Sequence, residues 1–527
     1  MNALGMGNCT AIPEKNITTA LPMSNEKSTT KEILIVGGGT AGWMTASLFA
    51  RRWLDRGFKI KLVESKSIGI IGVGEGSTPK MRRFFEYLGV KEEEWMPECN
   101  ATYKCGIRFP NWATRKGYNS YYHPFFSEAD NEAVRAFYQN ATIRSKNIDV
   151  HGHPDTFFVS NFLAGSKKAP TPNRTTQYTT DYAYHFDASL IGDFLRKYAT
   201  GKGVEHFYDT VENVQRNEDG SISSIKTKEN GVMEADFFID CTGFAGLLIG
   251  KTLGVPFQSY NDILFNDRAI AVPTPLNADG SIPSQTMSTG MKNGWAWKIP
   301  LTNRFGNGYV YSSKFMEDDD AERELRAHLG LLEEDIECRR LKMRVGRTDV
   351  CWSHNCLAVG LSQGFIEPLE ATALMIVQDT IETFMQRYEQ GGFTERYRTD
   401  VNDKINAIFD GVKNYVFMHY KLNTRDDTDY WRANRTNETM SEDVSRILSI
   451  WDRGGDLLTE LKDQASRLVY SPTSWYCILA GMGRFPRKPK KPKKNLQVFD
   501  PKEAEGFCKK MIQHFPDHKE KLASMVN

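Results

Sequence analysis

The sequence has no long hydrophobic run. Its strongest apolar stretches, Ile33 to Val36 and Phe237 to Ile239, are strand-sized, far short of the ~20 residues that a membrane-spanning helix needs. The chain is therefore expected to be soluble, with no membrane partner. Residues 1–30 mix Asn, Thr, Ser, Lys and Pro without an apolar core behind a basic start. They read as a flexible leader rather than a secretory signal, with Met23 as an alternative start. Cysteine is sparse and unpatterned: nine residues, an odd number, run from Cys9 to Cys508 with no Cys-x-x-Cys pair. That distribution builds neither a disulfide framework nor a zinc site, so no metal is expected and a reducing, cytoplasmic setting fits best. Excess charge is lacking too, since a formal net charge of +1 provides no global field to draw in nucleic acid.

What is present is an ordinary globular composition, 40% hydrophobic and 12% aromatic over 527 residues, with ample material for a large core. Lys31 to Glu64 reads as strand, glycine turn, helix and strand, the opening βαβ unit of a dinucleotide fold. Two later segments have the same buried-strand character: Ala235 to Asp240, entered from a hairpin between Asn217 and Val232, and Cys356 to Gly360, which leads into a long helix from about Pro368 to Glu389. Gly391-Gly392 stops that helix. The expected fold is α/β, with three separated segments forming one nucleotide-binding core. We divide the chain into a leader (1–30), a core with inserted substrate-side segments (31–394), a mainly helical cap (395–485), and a basic linker with a C-terminal helix (486–527). The aromatic stretch Gly117 to Phe126 suits either a substrate-side lid or a packed loop. The Pro-broken basic run Arg484 to Lys494 reads as a solvated linker.

Gly37-x-Gly39-x-x-Gly42 follows a strand and opens a helix, and Glu64 ends the next strand 22 residues after Gly42. In that context Gly37, Gly39, Thr40, Ala41 and Gly42 form a tight turn that brings a pyrophosphate to a helix N-terminus, while Glu64 accepts hydrogen bonds from ribose hydroxyls. The turn alone leaves FAD and NAD open. The strand ending Asp240-Cys241-Thr242-Gly243 resembles one that recurs in flavoproteins of the two-dinucleotide type, and this favours FAD. Gly360, after the third strand, is a further cofactor-side glycine.

Gly294-Trp295-Ala296-Trp297-Lys298-Ile299-Pro300 resembles the Trp-x-Trp-x-Ile-Pro signature of the flavin-dependent halogenases. Similar family segments are Gly37 to Ala46, Gly72-Val73-Gly74-Glu75, Tyr103 to Phe109, His185-Phe186-Asp187-Ala188, Phe365 to Glu370 and Arg425 to Thr428. They run in family order from about residue 31 to residue 485. The resemblance implies that reduced FAD, supplied by a separate flavin reductase, works with O2 and a halide to generate hypohalous acid, which travels through the protein to a lysine. Lys104 matches that lysine and Glu370 matches the catalytic glutamate. Thr372 and Ala373 match halide-binding positions, although Ala371 and Ala373 stand where tryptophan halogenases usually carry Ser and Gly. Trp295 and Trp297 match a screen between flavin and substrate, and Gly74 lies in a strap over the flavin.

Each of these positions also has a plain reading. Thr102 to Phe109 alternates as one strand, which would make Lys104 a solvent-facing strand lysine. Glu370 and Glu367 are also ordinary acidic partners of a first helical turn. The two tryptophans alternate onto one face and suit a simple core, and the strap glycines suit a surface turn.

Tryptophan halogenases grip the amino-acid backbone with a Tyr- and Glu-rich insertion. The interval Leu457 to Ser474 is short and has no Tyr-Tyr-Glu run. The resemblance is therefore closer to the environmental indole-accepting halogenases, with an indole, phenol or larger aromatic as substrate and Trp475 and Tyr476 as candidate lining residues. A homodimer is left open. Two rivals share the glycine turn: an NAD(P)H-dependent flavin monooxygenase and a flavin-binding protein without catalysis.

Overall fold

The computed structural model of the chain describes residues 31–66, 74–173, 179–493 and 495–526. The expected leader, and Gly72 and Val73 of the expected strap, lie outside these residues. The described chain opens with β1 (Glu32–Val36), α1 (Thr40–Trp53) and β2 (Lys59–Glu64). There follow β3 (Thr102–Lys104), β4 (Gly106–Pro110), β5 (Ser120–Pro124), β6 (Ala183–Phe186), β7 (Glu205–Tyr208), β8 (Phe237–Asp240), β9 (Gly294–Pro300) and β10 (Cys356–Ala358). The helices that matter most to the site are α2 (Ala373–Gln390), α3 (Arg398–Leu422) and α4 (Pro472–Gly481).

The three separated segments expected to form one core do so. β10, β8, β1, β2 and β7 lie side by side in that order, each pair parallel, with Ile33 opposite both Ile60 and Phe237 and Phe238 opposite Cys356. Parallel strands need covering on both faces, which is why β1 and β8 are apolar without alternation. On one face α1 and α2 bury Phe49, Trp53 and Phe384 against the sheet, and the Phe384 ring lies 5.0 Å from Phe237 and 4.9 Å from Trp352. The fold is the expected α/β arrangement.

A second sheet carries the tryptophan strand. β9 is flanked by Phe305–Tyr311 and Thr286–Gly290, and the latter pairs with β4, which in turn pairs with β5. A third, small sheet places β6 between Glu75–Gly76 and β3. The expected single strand from Thr102 to Phe109 is therefore two strands in different sheets. The break falls at Cys105, whose N–H donates to the Ser284 carbonyl at 2.7 Å. Gly106 follows because β5 crosses so closely that a Cβ there would stand 2.4 Å from the His123 carbonyl oxygen.

The C-terminal chain docks on the same region. His518, Phe515 and Leu522 are buried, and the Ala169 N–H donates to the Pro516 carbonyl at 3.1 Å. His518 fills the exposed edge of β3: the Tyr103 N–H donates to its Nε2 at 3.1 Å, and its Nδ1 lies 2.9 Å from the Ile282 carbonyl oxygen. Among the described residues no helix is long and apolar enough to cross a membrane.

Candidate flavin site and active site

The glycine turn sorts its three glycines by physical role. A Cβ at Gly37, whose φ is 110°, would stand 2.2 Å from the Cys241 carbonyl oxygen, and one at Gly42 would stand 2.0 Å from that of Gly37. These two glycines let β1, β8 and α1 approach each other. A Cβ at Gly39 would meet nothing within 4 Å, so this position opens on free space at the N-terminus of α1. Gly39 caps that helix without a side-chain hydrogen bond, leaving first-turn N–H groups available to an anion. Glu64 curls over the turn and would contact a Cβ at Gly38 at 1.9 Å, and its carboxylate lies 2.9 Å from His206 Nε2. Gly360 (φ 75°) comes up against Ala41, where its own Cβ would be 2.7 Å away. Thr40 and Ala41 thus sit between the turn and Gly360. The arrangement fits a dinucleotide with its pyrophosphate over Gly39 and its ribose toward Glu64.

Gly74 lies elsewhere. A Cβ there would touch Leu301 and Ile299 at 3.6 and 3.7 Å, at the end of the tryptophan strand. On that strand Trp295 and Trp297 are both buried, with ring centroids 6.2 Å apart. The Trp297 ring occupies the space a side chain at position 308 would need, because a Cβ on Gly308 would overlap it at 2.1 Å. The Trp297 indole N–H has no hydrogen-bond partner.

Lys104 ends β3 and is 0% exposed, which removes the solvent-facing reading. Its Nζ donates to the Ser77 carbonyl at 3.0 Å. Burial pulls its pKa down to about 7, against the opposing pull of the Glu370 charge. Gly76 makes room for the amine: a Cβ there would stand 3.3 Å from Nζ, 3.5 Å from the Ala371 methyl and 3.6 Å from the His185 ring. His185 is a fixed neutral neighbour. The Thr102 hydroxyl donates to the Pro300 carbonyl at 2.7 Å and so accepts from His185 Nδ1 at 3.1 Å, leaving Nε2 to accept from Thr286 at 2.8 Å. Burial pushes the His185 pKa well below the usual range.

The long helix starts five residues later than expected. Pro368–Glu370 form a separate tight turn, and Ala371 then takes φ 55°, a left-handed conformation that breaks the helix before Ala373. This break turns Glu370 inward. Its Oε2 accepts from His123 Nδ1 at 2.9 Å and its Oε1 lies 3.0 Å from His419 Nε2. Burial raises the pKa of such a carboxyl, but the charge and hydrogen bond of His123, then those of His419, prevail and hold it at about 2. Thr372 is buried and, with Ala373, forms the N-terminus of α2, where no acidic side chain occupies the first turn. Glu367 is no surface dipole partner. It is buried, accepts from Asn266 Nδ2 at 2.8 Å and from the Tyr420 hydroxyl, and burial raises its pKa to about 7.

The fold thus brings Gly37, Gly39, Thr40, Ala41, Gly42, Glu64 and Gly360 into one group and Lys104 and Glu370 into another. Sequence reasoning missed His123 and His419. His123 lies in an aromatic strand whose sequence suited either a lid or a packed loop, and His419 lies within a helix with no local signal. Trp475 and Tyr476 part company: Trp475 packs edge-on against Tyr415, centroids 5.1 Å apart, while Tyr476 packs on Tyr138 at 4.6 Å. Tyr470 stacks on the ring partner of Trp475, Tyr415, with centroids 3.7 Å apart.

These features define the class of protein as a dinucleotide-binding α/β fold with a buried lysine and a buried carboxylate grouped in a second site. Residues 32–497 match the model of the tryptophan halogenase family, and the chain belongs to that family of flavin-dependent halogenases. Tryptophan 6-halogenase SttH from Streptomyces toxytricini is 37% identical over 90% of this chain and 93% of its own length. Tryptophan 7-halogenase RebH from Lentzea aerocolonigenes is 34% identical over 87% of this chain and 90% of its own length. The solved structure of BrvH, a flavin-dependent halogenase from Brevundimonas sp. BAL3, superposes with a TM-score of 0.78 at 31% identity, covering 94% of this chain and 99% of that one.

Proposed function

We propose that this protein halogenates an electron-rich aromatic substrate, indole- or phenol-like, with Lys104 and Glu370 as its catalytic residues. The observation that carries this reading is the burial of both groups in one place: a fully enclosed Lys104 amine whose pKa burial lowers, within reach of the charge of a Glu370 carboxylate flanked by His123 and His419. When bound, reduced FAD with O2 and bromide or chloride supplies the electrophilic halogen, in the form of hypohalous acid. Gly37, Gly39, Thr40, Ala41, Gly42, Glu64 and Gly360 bind the cofactor, and Gly74 belongs to a strap against the tryptophan strand. Thr372 and Ala373 offer hydroxyl and N–H donors to the halide at the start of α2. Trp295 and Trp297 wall off the substrate, so that only a small oxidant passes.

Near pH 7 Lys104 is present in both forms. The protonated amine hydrogen-bonds and polarises the hypohalous acid, and the neutral amine can take its halogen as a haloamine, the O–halogen bond breaking and the hydroxide leaving as water with the amine proton. Glu370 stays ionised to orient the halogenating species or take the proton released from the ring carbon. His123 fixes the rotamer of that carboxylate. The absence of a Tyr-Tyr-Glu run before Ser474 points away from free tryptophan as the native substrate.

The test supplies purified protein with FAD, a separate flavin reductase, NADH, bromide and indole, and follows the product by mass spectrometry. Bromoindole is expected, and none is expected when the reductase is omitted. Rapid NADPH oxidation by the isolated protein, with oxygen rather than bromine in the product, would overturn the reading in favour of a monooxygenase.

A further inference from the structure

We infer that His518 is a positioning residue: it anchors the strand that carries Lys104 along its open edge, so that the C-terminal segment of the chain aims the amine. The inference rests on the reading of Lys104 given above. β3 is three residues long and lies at the edge of its sheet, paired with β6 on one side. Along such an edge alternate N–H groups face outward without a strand partner. Here that group is the Tyr103 N–H, the one directly before Lys104, and it donates to His518 Nε2 at 3.1 Å. The other ring nitrogen, Nδ1, lies 2.9 Å from the Ile282 carbonyl oxygen. A backbone N–H only donates and a carbonyl oxygen only accepts. The two partners therefore fix one state, a neutral ring with its proton on Nδ1; the other tautomer and the charged ring each set N–H against N–H at Tyr103.

The backbone anchors on both sides of Lys104 lead to the same segment. On the far side, the Cys105 N–H donates to the Ser284 carbonyl at 2.7 Å, and the Ser284 hydroxyl donates to the Lys168 carbonyl at 2.8 Å. Lys168 in turn faces Asp517 across an antiparallel bridge. Beside that bridge the His518 N–H donates to the Lys167 carbonyl at 2.9 Å. His518 thus ties β3 to the stretch holding Ile282 and Ser284, and ties both to the end of the chain. Apolar burial holds this clasp down: Cys508, on the helix Pro501–Met511, shares one buried cluster with Ile512, Phe515, Cys105, Tyr122 and Leu163. The segment lies beyond the residues that match the family.

Both ring bonds of His518 go to backbone groups, so it acts through the strand rather than on the chemistry. A displaced β3 carries the Lys104 amine with it, and a misplacement of about 1 Å in a reacting group can cost about 100-fold in rate.

The experiment uses the fact that a side-chain amide imitates one imidazole nitrogen at a time. Glutamine sets its carbonyl oxygen near the Nε2 position, where it accepts from the Tyr103 N–H. Asparagine sets its NH2 near the Nδ1 position, where it donates to the Ile282 carbonyl. Full-length His518→Gln, His518→Asn and His518→Ala are compared with the wild type. Hydrogen exchange of the Tyr103 amide and denaturant stability are measured on each protein. Each holoenzyme, given reduced FAD, O2, bromide and indole with free hypohalite scavenged, is scored by bromoindole formed per reduced FAD, and by kcat and KM under steady turnover.

His518→Asn should exchange the Tyr103 amide faster and lose about 10-fold or more in product yield and kcat, with FAD binding and KM for indole little changed. His518→Gln should keep most of both the protection and the yield. Each amide preserves one of the two bonds, so these variants carry the comparison even where His518→Ala fails to fold. Yields that follow unfolding stability instead of Tyr103 exchange, or a wild-type yield from a folded His518→Asn protein, overturn the inference. Undiminished bromination by Lys104→Met in the same assay overturns the reading of Lys104 instead, and faster Tyr103 exchange in His518→Asn still upholds the anchor.

Discussion

Replacing Lys104 by methionine separates the cost of burying an amine from its use. The fold carries a lysine at 0% exposure whose pKa falls from 10.5 to about 7. Because the unfolded chain binds a proton here over that interval and the folded chain does not, stability rises with pH between 7 and 10.5 and the penalty is greatest at and below pH 7. Linkage over this interval gives a penalty of about 4 kcal/mol at pH 7. Methionine keeps the length and removes the nitrogen. It also leaves the Ser77 carbonyl without its donor, which gives back about 1 kcal/mol. Lys104→Met should therefore be more stable than wild type by about 3 kcal/mol at pH 7, a rise in Tm of about 3 °C for a chain this long. The difference should shrink toward zero and reverse slightly as pH approaches 10.5. Calorimetry at pH 7 and pH 10, beside FAD titration and product analysis with free hypohalite scavenged, measures all three consequences. FAD binding should persist while regioselective halogenation disappears. A pH-independent fall in Tm would refute the buried-amine argument, and wild-type bromination by the variant would refute the assignment of the chemistry to Lys104.

Gly39→Val should fold normally, since the backbone there has φ −70° and a side chain meets nothing within 4 Å. FAD affinity should nevertheless fall by about 10-fold or more as the valine fills the pyrophosphate path; an unchanged titration would place the cofactor elsewhere. His518→Ala leaves the Tyr103 N–H and the Ile282 carbonyl unpaired and should cost about 2 to 4 kcal/mol in denaturant unfolding, with His518→Asn recovering part of it. Burial lowers the His518 pKa to about 4, so its contribution is complete above pH 6.5 and is lost as pH falls toward 4. That acid-side loss should be absent from the asparagine variant.

The sequence by itself determined the parts whose physics is local. The unbroken apolar character of Ile33 to Val36 and Phe237 to Ile239 required a sheet covered on both faces, and the glycine spacing required a close backbone turn. Family resemblance in short segments singled out Lys104 and Glu370 as separate positions. Tertiary structure decided what those two residues are. Whether Lys104 is a surface amine or a buried one near neutrality depends on β6, Gly76 and His185 closing around it, and none of these is adjacent in the chain. Glu370 faces inward because Ala371 adopts a left-handed turn, a choice with no signal in an alanine. The state of Glu370 then depends on His123, 247 residues earlier, and on His419, 49 residues later. Long-range proximity and desolvation fix the charges at the site, and both are properties of the packed chain.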